Sequence, residues 1–208
     1  MGEVKVKICG ITNLEDALAA CSAGADALGF VLAPEAKKRN RYISFEDARE
    51  IIGELPPFVS TVAVCVNESI GVLAQYLSVF DYVQLHGEES PGDVPMKHVT
   101  IKSFQAGPGF SLADLMEYEV RAYLLDASVP GERGGTGVVC DWDVAQQAVA
   151  TGRPILLAGG LTPENVAEAV GVVRPYGVDV SGGVESGPGK KDHERIRRFI
   201  DAAKASLA

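Results

Sequence analysis

The stretch Val4-Lys5-Val6-Lys7-Ile8-Cys9-Gly10-Ile11-Thr12-Asn13-Leu14-Glu15 contains a strand, a turn and the start of a helix in immediate succession. Period-two alternation puts Val4, Val6 and Ile8 on one face of the strand and Lys5, Lys7 and Cys9 on the other. Gly10 breaks the run. Thr12-Asn13-Leu14-Glu15 then has capping-box spacing, in which the Thr12 hydroxyl takes an orphan helix N–H and Glu15 returns a bond. A strand feeding a helix is half of a crossover unit, the connection that parallel strands require.

The unit recurs along the chain. Apolar, β-branched runs predict strands over Val4–Cys9, Asp26–Val31, Val59–Val66, Tyr82–His86, His98–Ser103, Ala122–Asp126, Pro154–Ala158 and Val178–Ser181. Ser44 ahead of Phe45-Glu46-Asp47 is a second cap, and Thr162-Pro163-Glu164-Asn165 puts proline at a first helical position, where its missing N–H costs nothing. The last helix, about Asp192–Ser206, gathers Ile196, Phe199, Ile200 and Ala203 on one face. Lys190, Lys191, Arg195, Arg197 and Arg198 read as a solvated charge run. Eight strand–helix alternations predict an α/β fold, a (β/α)8 TIM barrel of eight parallel strands forming a single domain over residues 1–208. The weakest unit is the fourth, where Ser90–Met96 holds two prolines and little room for a helix. At 208 residues the barrel has few insertions, since this fold typically takes roughly 250.

Parity also orients the strands. With the apolar face of the first strand on the helices, Cys9 faces the axis at the C-terminal mouth, where barrel active sites are built. The third strand repeats the alternation, with Val62, Val64 and Val66 opposite Thr61, Ala63 and Cys65.

Hydrophobic residues at 47 % and charged residues at 23 % are ordinary for a globular protein. A formal net charge of −9 argues against nucleic-acid and acidic-membrane partners, which call for a basic face. The four cysteines, Cys9, Cys21, Cys65 and Cys140, form no C-x-x-C pair, so neither a zinc site nor a disulfide framework is expected. No signal peptide or membrane span is visible, and a cytoplasmic location is expected.

The chemistry candidates are the polar residues at strand ends: Cys9, His86, Asp126 and Asp179. Each has a plainer reading by itself. Cys9 reads as a small buried hydrophobe, His86 as a hydrogen-bonded structural histidine, and the two aspartates as loop-capping carboxylates. Gly159-Gly160 after the seventh strand and Gly182-Gly183 after the eighth fit the phosphate grip of these barrels, with backbone N–H groups approaching an anion; tight turns are the alternative. Gly131-Glu132-Arg133-Gly134-Gly135-Thr136-Gly137 reads as a loop over the site. It fits no dinucleotide fingerprint. The basic segment Lys37-Lys38-Arg39-Asn40-Arg41 follows the second strand, and an arginine there suits a bidentate carboxylate clamp, although a solvated charge run is the plainer reading.

In this order and spacing, Lys7-Ile8-Cys9-Gly10-Ile11-Thr12, Gly29-Phe30-Val31, Arg41-Tyr42-Ile43-Ser44, Val83-Gln84-Leu85-His86-Gly87, Leu124-Leu125-Asp126, Gly134-Gly135-Thr136-Gly137, Asp141-Trp142, Leu157-Ala158-Gly159-Gly160-Leu161 and Val178-Asp179-Val180-Ser181-Gly182-Gly183-Val184-Glu185 resemble phosphoribosylanthranilate isomerase over essentially the whole chain. The resemblance implies an Amadori rearrangement of N-(5-phosphoribosyl)anthranilate in tryptophan biosynthesis, without metal or cofactor. It also implies Asp126 as acid and Cys9 as base, which requires a protonated Asp126 and a partly ionised Cys9 near neutral pH, with Lys5 and Lys7 as candidate stabilisers of the thiolate. The same resemblance gives Arg41 the substrate carboxylate, the two glycine pairs the phosphate, and places His86 and Asp179 in the substrate-binding set. The expected partner is this small substrate, in a monomer or homodimer. Two stretches depart from the family pattern. The loop Pro34–Asn40 is longer, so Arg39 competes with Arg41, and Val138-Val139-Cys140 replaces the common Lys-x-Phe. The rivals are the related isomerase of histidine biosynthesis, which usually has an aspartate where this chain has Cys9, and a non-catalytic phosphoribosyl-binding barrel.

Overall fold

The structure is a computed structural model that describes residues 3–94, 96–107, 109–127 and 140–205. Eight strands, β1 (Lys5–Cys9), β2 (Ala27–Val31), β3 (Ser60–Cys65), β4 (Tyr82–Leu85), β5 (Thr100–Ala106), β6 (Ala122–Ala127), β7 (Ile155–Leu157) and β8 (Gly177–Val180), pair in chain order and all in parallel. Lys7 of β1 stands opposite Asp179 of β8, and this seam closes the barrel. Helices α1 (Leu14–Ser22), α2 (Phe45–Gly53), α3 (Ile70–Tyr76), α4 (Leu112–Met116), α5 (Trp142–Val149), α6 (Val166–Val173) and α7 (His193–Ala205) surround it. A small hairpin, β9 (Glu185–Gly187) with β10 (Lys190–Lys191), follows β8. No helix among the described residues is long and apolar enough to cross a membrane.

The helix starts follow from short polar side chains. Asn13, not Thr12, caps α1: its side chain accepts from Asp16 N at 2.8 Å, because the helix begins at the next residue. The Thr12 hydroxyl instead donates to Gly189 O at 3.3 Å. Ser44 caps α2 as expected, accepting from Asp47 N. Pro163 lies in a turn leading into α6, which begins three residues later, and Thr162 N donates to Asn165 Oδ1 at 2.8 Å. Helix α7 buries Ile196, Phe199, Ile200 and Ala203, and each of the three larger side chains contributes about 1.5–3 kcal/mol by leaving water.

Side-chain parity divides the core in two. Val4, Val6 and Ile8 pack outward with the helices, while Cys9 joins Val62, Val64, Ile101, Leu124 and Leu156 inside the barrel. The third strand therefore runs opposite to an analogy with the first: its valines point inward, and Ala63 and Cys65 pack outward. Valine suits either face of a parallel sheet buried on both sides. Strand β5 starts two residues later and runs three residues further than expected, because Phe104, Gln105 and Ala106 find partners in Leu125, Asp126 and Ala127.

Among the described residues, the fourth unit has no α-helix. Only short 3-10 turns, Pro91–Asp93 and Lys97–Val99, join β4 to β5. An ion pair occupies the vacated side: Lys102 Nζ lies 2.7 Å from Glu89 Oε2, both side chains almost fully buried. Asn67 N donates to Glu89 Oε1 at 2.8 Å, Gly87 N donates to both carboxylate oxygens, and Tyr118 Oη donates to Glu89 O. Every charge there is hydrogen-bonded, the condition under which a buried ion pair is tolerated.

Candidate active site

Two adjoining cavities open at the C-terminal mouth, of about 360 and about 850 Å³, and Asp126, Asp179 and Ser181 line both. Cys9, Arg41, His86, Gln84, Gln105 and Arg39 line the larger; Gly159, Gly160, Gly182, Gly183 and Arg195 line the smaller. All nine residues singled out from the sequence thus meet at one end of the barrel. The segment 131–137, expected to cover the site, lies outside the described residues.

Asp126 ends the apolar run Tyr123-Leu124-Leu125 and is 6 % exposed. Its Oδ1 accepts from Ala127 N at 2.8 Å. Burial outweighs that bond and lifts the carboxyl to about 6; the negative charge of Asp179 raises it further, while Lys7 and Arg39 oppose. His86 Nε2 lies 3.9 Å from Asp126 Oδ2, beyond hydrogen-bond reach. Burial presses the imidazole down to about 4, so it is neutral at physiological pH. Gln84 Nε2 is 3.3 Å from Nδ1, and donation from the amide leaves the ring proton on Nε2, toward Asp126.

Cys9 and Lys7 share the inward face of β1 beside Gly29 of β2. A Cβ on Gly29 would lie 2.8 Å from Cys9 Sγ and 2.9 Å from Lys7 Nζ, so only glycine leaves room for both. Lys7 Nζ pairs with Asp179 Oδ1 at 2.6 Å. Burial raises the Cys9 thiol above its ordinary value; Lys7 and Lys191 pull it down and Asp179 pushes it up. Asp126 is thus shifted in the direction that an acid requires, whereas Cys9 is shifted away from the thiolate, burial and then Asp179 outweighing the pull of Lys7 and Lys191. Lys5 gives no help: it is exposed at the far end of the strand and pairs with Asp26 at 2.8 Å.

Arg41 reaches the larger cavity already engaged. Its Nε and Nη2 donate to Glu185 Oε1 and Oε2 at 2.9 and 2.8 Å, a bidentate pair mostly shielded from solvent. The glycines serve separate needs. Gly159 has φ +86°, and a Cβ there would lie 2.5 Å from Ala127 N; a Cβ on Gly183 would run into Leu161 O, so the loops after β7 and β8 interlock.

The charge run that leads into and along α7 needs correction. Arg197 and Arg198 are solvated and pair with Glu194 and Glu164. Lys191, however, is buried against Glu185 and Ser181, and Arg195 lines the smaller cavity with Nη1 donating to Glu185 O at 3.0 Å. The sequence carried a signal for this: Gly187-Pro188-Gly189 is a hairpin turn, and alternation after it sends Lys190 and Lys191 to opposite faces. Gln105 went unnoticed because β5 extends further than its pattern indicated. Among the described residues, no group of three His, Cys, Asp or Glu side chains is placed to hold a metal ion.

The sequence pattern of the N-(5'-phosphoribosyl)anthranilate (PRA) isomerase family matches residues 6–202. A relative from Citrifermentans bemidjiense, N-(5'-phosphoribosyl)anthranilate isomerase, is 53 % identical over 203 residues, covering 96 % of this chain and 97 % of its own. The crystal structure of phosphoribosyl anthranilate isomerase from Thermus thermophilus superposes with TM-score 0.87 at 39 % identity, covering 99 % of this chain and 100 % of its own. A second solved isomerase, in complex with reduced 1-(o-carboxyphenylamino)-1-deoxyribulose 5-phosphate, gives TM-score 0.82 at 43 % identity over 97 % of this chain and 99 % of its own. A third, of monomers generated from the dimeric enzyme of Thermotoga maritima, gives TM-score 0.81 at 41 % identity over 97 % of this chain and 99 % of its own. With a closed (β/α)8 barrel, a paired cavity at its mouth and relatives matching from end to end, the chain belongs to the N-(5'-phosphoribosyl)anthranilate isomerase family, the isomerases of tryptophan biosynthesis.

Proposed function

We propose that this isomerase performs its Amadori rearrangement with Asp126 as general acid and Cys9 as general base. The observation that carries the assignment is their placement in one cavity, with Asp126 lifted to about 6 by burial. Asp126 protonates the ring oxygen of the ribose; the C1′–O bond breaks and the nitrogen lone pair forms the C1′=N iminium. Cys9 takes the C2′ proton, whose bonding electrons make C1′=C2′ and neutralise the nitrogen. The resulting enolamine takes up a proton at C1′ and releases the proton of its C2′ hydroxyl, which leaves a ketone at C2′. Each positioned proton transfer is worth about 10²–10⁴-fold in rate. The productive form pairs a protonated Asp126 with a deprotonated Cys9, the reverse of their usual order of titration. Its population is set by the gap between the two, so kcat/KM rises to about pH 6, stays level, and falls once Cys9 titrates.

Gly159, Gly160, Gly182 and Gly183 hold the phosphate in the smaller cavity, where Arg195 adds a full charge. Arg41, oriented by Glu185, meets the anthranilate carboxylate with its remaining N–H groups, and Arg39 stands on the same wall. His86 and Asp179 position the sugar between them. A cytoplasmic setting belongs to this reading, and four free thiols suit a reducing compartment. Fluorescence of freshly generated phosphoribosylanthranilate provides the test: Cys9→Ala and Asp126→Ala, both folded, lose most turnover, and near-normal activity in either sinks the assignment.

The opposite end of the barrel supports self-association. Phe58, just ahead of β3, is fully exposed and holds φ +70°, and Tyr176, just ahead of β8, is half exposed. A strained aromatic in water is unfavourable on both counts, and burial against a second copy offsets them; the Thermotoga maritima relative is dimeric. Phe58→Ala is expected to shift a sedimentation profile from dimer to monomer, and an unchanged profile or a monomeric parent rejects this interface.

A further inference from the structure

The Lys191 side chain has no exposed surface, yet lies beside the reacting end of the barrel. Its ammonium donates to Glu185 Oε1 at 3.0 Å, Ser181 O at 3.2 Å and Ser181 Oγ at 3.4 Å. Its backbone is fixed independently: Lys191 N donates to Asp16 Oδ2 at 3.1 Å, and Asp16 is held in turn by Asn13 and His193. Ser181 adjoins Gly10, the residue after Cys9, where an added Cβ would lie 3.0 Å from Ser181 Oγ and 3.4 Å from Arg41 Cδ. Lys191, Ser181 and Arg41 therefore form a wall against the end of β1.

We propose that Lys191 is a positioning residue for the isomerisation, a fixed buried cation that allows Cys9 to carry a thiolate. This rests on the reading of Cys9 as the base. The charges that act on Cys9 are Lys7 on its own strand, Asp179 on β8 and Lys191 on β10. Strand β2 contributes only the bare backbone of Gly29. Behind them stand Arg41 and Glu185, and across the cavity His86 and Asp126. Lys7 is matched by Asp179 at 2.6 Å, so that pair adds little net charge. Arg41 and Lys191 share one carboxylate, Glu185, which leaves one positive charge in excess. When Arg41 turns toward a ligand carboxylate its charge is neutralised, whereas Lys191, enclosed and anchored from three sides, stays. The attraction is mutual: burial lowers the Lys191 ammonium, while Glu185 first and a Cys9 thiolate after it oppose that shift.

The test is alkylation of Cys9 by iodoacetamide in the unliganded protein, read on the Cys9 peptide by mass spectrometry from about pH 6 to about pH 11, since the thiolate is the reactive form. Lys191→Met is expected to move the titration upward by about one pH unit, a tenfold loss of thiolate below it. Lys191→Arg keeps the cation and stays near wild type. Glu185→Gln removes the opposing charge and moves the titration downward, so the two neutral variants shift in opposite directions. In turnover, the alkaline limb of kcat/KM follows each shift. Coincident titrations of Lys191→Met and wild type, or an upward shift in Glu185→Gln, overturn the proposal. If Lys191→Met does not fold, the sign of the Glu185→Gln shift decides. Normal turnover in Cys9→Ala would reject Cys9 as base, while the alkylation titration would still report whether Lys191 governs its ionisation.

Discussion

Two buried lysine–carboxylate pairs sit on opposite sides of the same sheet. Lys7 and Asp179 meet at 2.6 Å inside the barrel, next to Cys9, and Asp179 lines the cavity. Lys102 and Glu89 meet at 2.7 Å on the outside, where the fourth unit lacks its helix. Their chemistry is alike and their surroundings are not. The outer pair is saturated by Asn67 N and Gly87 N on the carboxylate and Gly87 O on the ammonium and touches neither cavity, so it holds structure. The inner pair acts on Cys9 and Asp126, the groups that change protonation in the proposed mechanism. Side of strand, more than residue type, divides scaffold from catalysis.

Exchanging the lysines for methionine tests that division. The largest effect is expected on turnover: Lys7→Met, which removes a cation beside the developing thiolate, lowers kcat by about 10²-fold or more in folded protein. Lys102→Met leaves kcat per folded molecule near wild type; equal loss in the two variants would erase the distinction. Next comes stability. Lys102→Met or Glu89→Ala strands a buried charge and costs about 3–5 kcal/mol in urea unfolding, and a loss below about 1 kcal/mol would mean that water already reaches the pair.

The smallest effect concerns pH. Asp126, raised when folded, contributes stability that is present below about pH 4 and lost as pH rises through about 6. His86, lowered when folded, does the reverse: the folded state loses ground as pH falls from about 6.5 toward about 4. The two nearly cancel across the same window. Asp126→Asn removes one of them, so relative to wild type its stability should rise by about 3 kcal/mol from pH 4 to pH 6.5. A parallel pH dependence in the two proteins contradicts the raised Asp126.

The architecture was legible because strand parity and helix caps are local. Val4, Val6 and Ile8 needed only their spacing to declare an outward face, and two prolines foretold the missing fourth helix. That Cys9, Asp126 and the glycine pairs stand at the mouth was legible from their position at strand ends, whereas the catalytic roles proposed for the first two came from the resemblance alone. What remained hidden depended on partners distant in sequence. The valines of β3 fit either face, and alternation parts Lys190 from Lys191 without saying which is buried; Glu185 and Ser181 decide that for Lys191. The upward shift of Cys9 belongs to the closed barrel, not to any motif. Nor does a sequence reveal that Arg41 arrives with a carboxylate already bound.

The seam between β1 and β8 sets an order of assembly. Lys7 and Asp179 are 172 positions apart, and Arg41 and Glu185 are 144 apart. During synthesis, which proceeds from the N-terminus at about 5–20 residues per second, Lys7 and Arg41 leave the ribosome many seconds before their counter-ions. A nascent chain therefore lacks the counter-charge of Lys7 until β8 emerges. Interrupted translation products then carry an unmatched lysine on a face destined for the interior, which keeps that strand solvated and hinders premature, non-native closure.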